Sequence, residues 1–197
     1  MSPSITKRYY WLDIAKGITI ILMVLGHSSI PKFVSDFIWA FHMPLFFIAS
    51  GWCTDWKRDG FVTFLKKRTK SLMFPFCVFS LVVMMIYQIL GKRDCIDILQ
   101  NGWGGYALWF VPVLFFATLL AKAVFMIWNT HIQIFAISGV VSLAYVTGYF
   151  RPELPWTLYS IPYACTFILI GSAFRRMCET QSKGILLPRF MGGVSYW

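Results

Sequence analysis

Apolar runs, each long enough to cross a bilayer, recur along nearly the whole chain with only short basic connections between them. A hydrocarbon core about 30 Å thick needs about 20 consecutive apolar residues in helical form. Every backbone N–H and C=O inside lipid must be satisfied within its own segment, so such runs are helices unless they close a barrel. The sequence therefore predicts an all-α, polytopic membrane bundle with about six transmembrane helices, at 12–30, 33–53, 73–91, 106–128, 132–150 and 157–174. The composition agrees: 58% of the 197 residues are hydrophobic and 13% charged. Soluble domains average about 45–50% and about 25%.

An even number of spans puts both termini on one side, and the basic residues choose which. Lys7, Arg8, Lys57, Arg58, Lys66, Lys67, Arg68, Lys70, Arg175, Arg176, Lys183 and Arg189 fall on the N-terminal side, against Lys32, Lys92, Arg93 and Arg151 on the other. Cytoplasmic loops carry the excess of Lys and Arg, so the N-terminus is expected in the cytoplasm. Interfacial aromatics fit the same frame, with Trp52, Trp56 and Trp128 at inner ends and Trp103, Trp156 and Tyr159 at outer ends. The basic loop 54–72, with Phe61, Phe64 and Leu65 interspersed, reads as an amphipathic helix lying on the inner leaflet. Lys122, near the inner end of the fourth span, reads as a snorkelling lysine. His131 reads as a solvated loop residue.

Several function classes fall away. The net charge of +10 sits in loops between apolar runs rather than along one soluble face, which argues against nucleic acid as a partner. Cys53, Cys77, Cys95, Cys165 and Cys178 are scattered, with no C-x-x-C pair and no histidine at ligand spacing, so no metal is expected. The first run is expected to be a retained helix rather than a cleaved leader, because Asp13 and Lys16 intrude and no small-residue cleavage site follows.

What remains to be explained is DIAKGITIILMVLGHSS, residues 13–29, an apolar span that keeps an acid, a base and an imidazole. Lys16 and His27 are eleven residues apart, close to three turns, and so share a stripe about 16 Å long, with Asp13 near the same face. Ionisable groups are expensive in lipid and mark a bundle interior or a cavity. In the plainer reading, Asp13 and Lys16 form an interfacial i,i+3 pair and His27 reaches for water. The stripe as a whole suits acyl transfer: a histidine takes the proton of an attacking hydroxyl, and a cation holds the donor or the developing charge. The second span adds His42, with Pro44 expected to kink the helix after it, and Ser50 and Gly51, which permit close helix approach.

The stretch K-x10-H in the first span, followed by FHMPLFFIASGW, KKRTKSLMFPF and ALWFVPVLFF, resembles the acyltransferase-3 family of integral membrane O-acyltransferases, closest to its fucose 4-O-acetylase-like branch. The resemblance implies a single integral membrane acyltransferase domain over 1–197, in a bacterial-type inner membrane, that transfers an acetyl or acyl group from acetyl-CoA to a hydroxyl. The acceptor it implies is a sugar on a surface or lipid-linked glycan. His27 matches the family's catalytic histidine, and Lys16 stands where most members carry arginine, keeping the charge but not the bidentate fork. Arg68 matches a basic position before the third span, with a donor-binding role; Asp13 and His42 complete the candidate set. Members carry more helices than the six read here, so the chain is expected to continue beyond GGVSYW. Two other readings stand beside this one: a transporter or flippase using Asp13, Lys16 and His27 as a relay, and a non-catalytic remnant.

Overall fold

The computed structural model describes residues 10–26, 28, 30–91, 109–152 and 154–184. These form α1 (Tyr10–Gly26), α2 (Lys32–Cys53), α3 (Phe61–Arg68), a π turn (Thr69–Met73), α4 (Phe74–Ile89), α5 (Phe110–Met126), α6 (Thr130–Phe150), a 3-10 turn (Pro155–Ser160) and α7 (Ile161–Gly184). No strand occurs among the described residues. Four helical stretches, Lys32–Cys53, Phe61–Ile89, Thr130–Phe150 and Thr157–Thr180, are long and apolar enough to cross a membrane, and Phe110–Met126 is a shorter apolar helix. Each of the six expected spans has its helix, and the protein is a helical membrane bundle.

The bundle is built around α2, α5 and α7. Phe47, Val113, Leu114, Ala117, Ala164 and Ile168 form its buried centre. Helices in lipid gain little from burying apolar surface against one another, and close backbone approach between small residues takes over. Such an approach holds α2 to α7. A Cβ placed on Gly51 would lie 2.0 Å from the Ile168 carbonyl oxygen, and one on Gly171 would lie 2.0 Å from that of Ile48. The expectation for Gly51 is met, and Gly171 is its reciprocal. Helix α2 runs on through Pro44 without ending there. Much of α1 and α6, including Ile14, Ile21, Val24, Phe135 and Tyr145, is exposed apolar surface suited to hydrocarbon.

The loop 54–72 differs from its expectation. Instead of a separate helix on the leaflet, α3 continues through the π turn into α4 as one rod from Phe61 to Ile89. No glycine or proline interrupts residues 61–74. The π turn lies directly ahead of Pro75, whose ring displaces the carbonyl four residues back; the wider turn absorbs the mismatch, with Phe74 N–H bonded to the Thr69 carbonyl. Apolar partners then draw α3 into the bundle. Phe64 is buried against Trp56, ring centroids 6.0 Å apart, and Trp56 meets Phe125 at 4.9 Å. Trp56 is thus a core residue rather than an interfacial anchor. Outside the bundle, Lys67 donates to both carboxylate oxygens of Asp59 at 2.8 Å, and that bond holds the Asp59 carboxyl below its ordinary range.

Lys122 corrects a second expectation. It does not snorkel: only 3% exposed, it donates from Nζ to the Trp56 carbonyl, with Nζ 5.7 Å from the Phe64 ring centroid. Its ammonium fixes the turn after α2 against α5. Lys122→Met keeps the volume and leaves that buried carbonyl without its donor, a loss of about 1–3 kcal/mol. A lowered thermal midpoint in detergent is expected; an unchanged midpoint would show that the bond contributes nothing. Asn129 caps α6, its side chain accepting from the His131 and Ile132 amides, so exposed His131 belongs to the first helical turn rather than to a loop.

Candidate functional site

Helix α2 carries His42, Phe46 and Ser50 at successive intervals of four residues, a spacing that lays them along one face, and Thr54 follows as its C-cap. Three cavities follow this face from the middle of the bundle to its basic end. The first, 270 Å³, is lined by Thr19, Ile20 and Met23 of α1, His42, Met43 and Phe46 of α2, and Phe110 of α5. The second, 310 Å³, is lined by Phe46, Ser50 and Cys53 of α2 and its cap Thr54, with Arg68, Leu72 and Leu114. The third, 440 Å³, lies between the turn after α2 and the end of α7, and holds Thr54, Lys57, Ser172, Arg175, Arg176 and Glu179 among its lining. Phe46 is shared by the first two cavities and Thr54 by the second and third.

In the first cavity the histidine is held in one orientation. His42 is 1% exposed, and its Nδ1 lies 2.7 Å from the Ile38 carbonyl oxygen. A carbonyl only accepts, so Nδ1 carries the proton, and Nε2 of the neutral ring is left as an acceptor. That nitrogen is buried and has no hydrogen-bond partner among the described residues. Trp39 packs edge-on against the ring at 5.1 Å. The anchored Nδ1–H fixes the ring, and Nε2 is an unused acceptor among the described residues, enclosed beside the cavity rather than open to it.

The second cavity is polar on one wall. Arg68 Nη2 donates to Thr54 Oγ1 at 2.7 Å, and Thr54 Oγ1 donates to the Ser50 carbonyl at 2.7 Å. The guanidinium lies 5.1 Å from the Phe64 ring centroid, a cation–π distance that keeps the charge at the cavity instead of in solvent. At the third cavity Arg175 joins α7 to the end of α2. Its Nη1 donates to the carbonyls of Trp52 (3.1 Å) and Thr54 (3.3 Å), and its Nε to Glu179 (2.7 Å). Arg176 stacks 4.6 Å from the Phe125 ring centroid. Basic residues from three separated segments, Arg68, Lys122 and Arg175, therefore meet at one end of the bundle.

The residues singled out in the sequence are placed as follows. His27 lies outside the described residues. Lys16 is on α1 with its side chain outside them; its helix position, three before Thr19 and seven before Met23, is on the face that lines the first cavity. Asp13 occupies the first turn of α1, where the helix dipole favours an acid, and it is exposed and outside the cavity lining. His42 is in the first cavity and Arg68 in the second, with Phe46 between them. Phe46, Thr54 and Arg175 were not singled out. The four-residue spacing of His42, Phe46, Ser50 and Thr54 carries the first two, whereas nothing local distinguishes Arg175 from a topology-setting charge.

An acyltransferase-domain family model matches residues 9–197, the span that contains all three cavities. No curated protein and no solved structure matches the chain. The match runs through every helix described above, and by it this membrane protein belongs to the acyltransferase-3 family and is an acyltransferase.

Proposed function

We propose that the protein is a membrane O-acyltransferase that moves an acetyl group from acetyl-CoA, supplied at the basic cytoplasmic end, to a hydroxyl of a sugar or lipid-linked glycan. The arrangement that carries this reading is the run of cavities along α2, with the Arg68–Thr54 pair lining one and the buried His42 imidazole beside the next. Arg68 offers a positive charge to the donor, and the basic end around Arg175 and Arg176 favours an anionic ligand. The acceptor oxygen attacks the thioester carbonyl carbon; a C–O bond forms, the C–S bond breaks, and the hydroxyl proton passes to an imidazole and then to the departing thiolate. His27 is the general base by family correspondence. His42, in the cavity on the other side of Phe46 from Arg68, is the second imidazole of the site. The ammonium of Lys16, with Asp13 three residues before it, supplies positive charge on the same helix.

Arg68 gives the first test. Arg68→Ala is expected to raise KM for acetyl-CoA about tenfold or more, the result of losing a charge-assisted contact worth about 1.5–3 kcal/mol. Arg68→Lys should be intermediate, since it keeps the charge but loses the fork. The measurement is CoA thiol release by inside-out vesicles containing equal amounts of each protein. Release from wild-type vesicles no faster than from empty ones would overturn the reading.

A further inference from the structure

The first and second cavities share one lining residue. Phe46 lines both, and its ring meets Phe110 edge-on, with centroids 5.7 Å apart and 77° between the planes. His42 lies one turn before it on α2 and Ser50 one turn after, each about 6 Å away along the helix. Polarity changes across the ring. On the Arg68 side stand a guanidinium and the Ser50 and Thr54 hydroxyls; on the other, apart from Thr19 and the imidazole, the lining is Ile20, Met23, Met43 and Phe110. Thr19 has its hydroxyl turned to the Ala15 carbonyl of its own helix at 2.8 Å, so it offers that space little beyond a methyl group.

We propose that Phe46 determines which acyl chains the enzyme transfers, by limiting how far a chain extends from the Arg68 cavity toward His42. This rests on the acyl-transfer reading. A thioester has a polar arm and an apolar tail, and the two cavities offer matching surroundings in that order. A short chain ends at the ring. A longer one must displace the Phe46–Phe110 pair, which loses an aromatic contact and opens packed structure. Removing the ring is expected to open the 310 Å³ space toward the 270 Å³ one, since Phe46 lines both.

The test uses the full chain in inside-out vesicles, with acetyl-, butanoyl- and hexanoyl-CoA supplied separately and thiol release read against empty vesicles. Phe46→Ala is expected to raise the ratio of hexanoyl to acetyl turnover about tenfold or more, because even one methylene in an apolar pocket discriminates by about that factor. Phe46→Leu, which retains most of the packing, should give a smaller rise. The ratio is internal to each preparation, so expression level cancels. An unchanged ratio in both variants, or equal loss of all three donors in both, would overturn the proposal while leaving acyl transfer intact. The Cys53 thiol, which lines the Arg68 cavity, separates the two failures. A wild type that consumes no donor, and whose Cys53 is alkylated by maleimide equally fast with or without each acyl-CoA, as read by peptide mass spectrometry, would end the acyl-transfer reading and this proposal together.

Discussion

Gly171→Ala is expected to prevent the bundle from assembling. The added Cβ would stand 2.0 Å from the Ile48 carbonyl oxygen and 2.8 Å from the carbonyl carbon. Both atoms are backbone, so no side-chain rotamer relieves the contact, and α2 and α7 must part along the interface where the core packs. Overpacking costs typically about 1–3 kcal/mol, and a backbone clash belongs at or above the top of that range. Gly51→Ala meets the Ile168 carbonyl in the same way and should behave alike. Gly139→Ala is the control: it lies in α6 with nothing within 4 Å of its added Cβ. It should be neutral or stabilising, since a helical Gly→Ala change is worth about 0.5–1 kcal/mol where the space is open. The fraction of monodisperse protein in detergent and its thermal midpoint report all three. A monodisperse, normally stable Gly171→Ala protein would show that the helices do not touch as described.

His27→Ala is expected to have the largest effect on activity, a loss of about 10²–10⁴-fold in acyl transfer with insertion and thermal midpoint unchanged. The expectation rests on the match of His27 to the family's histidine eleven residues after a basic position, held here by Lys16 on the α1 face that lines the His42 cavity. His42→Gln separates the roles of the two imidazoles. It retains a polar group but not a titrating one, so a base at His42 would make it as damaging as His27→Ala, whereas a hydroxyl-orienting role would raise acceptor KM with a smaller fall in kcat. Wild-type rates in a well-inserted His27→Ala protein would remove that residue from the chemistry and leave His42 as the imidazole of the site.

Hydropathy read the spans because a membrane imposes length and polarity on each helix independently of its neighbours. That same independence hid the packing. Lipid is as apolar as a core, so the buried side of a helix such as α7 has no strong pattern to set it apart from the lipid side. Gly171 was accordingly silent, while Gly51 stood out only because it follows Ser50. The bonds of Lys122 to Trp56 and of Arg175 to Trp52 join residues 66 and 123 positions apart, beyond any local rule, so each lysine or arginine was read as a surface charge. The α3–α4 rod was missed for a related reason. Its basic residues suggested a surface helix, but the burial of Phe64 against Trp56 decides its direction. Polar residues inside spans were the legible part of the site, since each must have a reason to be there.

Transfer itself is the most direct test. Inside-out vesicles carrying the full chain are given acetyl-CoA labelled in the acetyl group, and the lipid and glycan fractions are then treated with hydroxylamine. Acyl transfer to a hydroxyl predicts label that is bound in those fractions, released by hydroxylamine as expected of an ester, and lost in His27→Ala vesicles of equal protein content. Equal label from wild-type, His27→Ala and empty vesicles, or label that resists hydroxylamine, would contradict it.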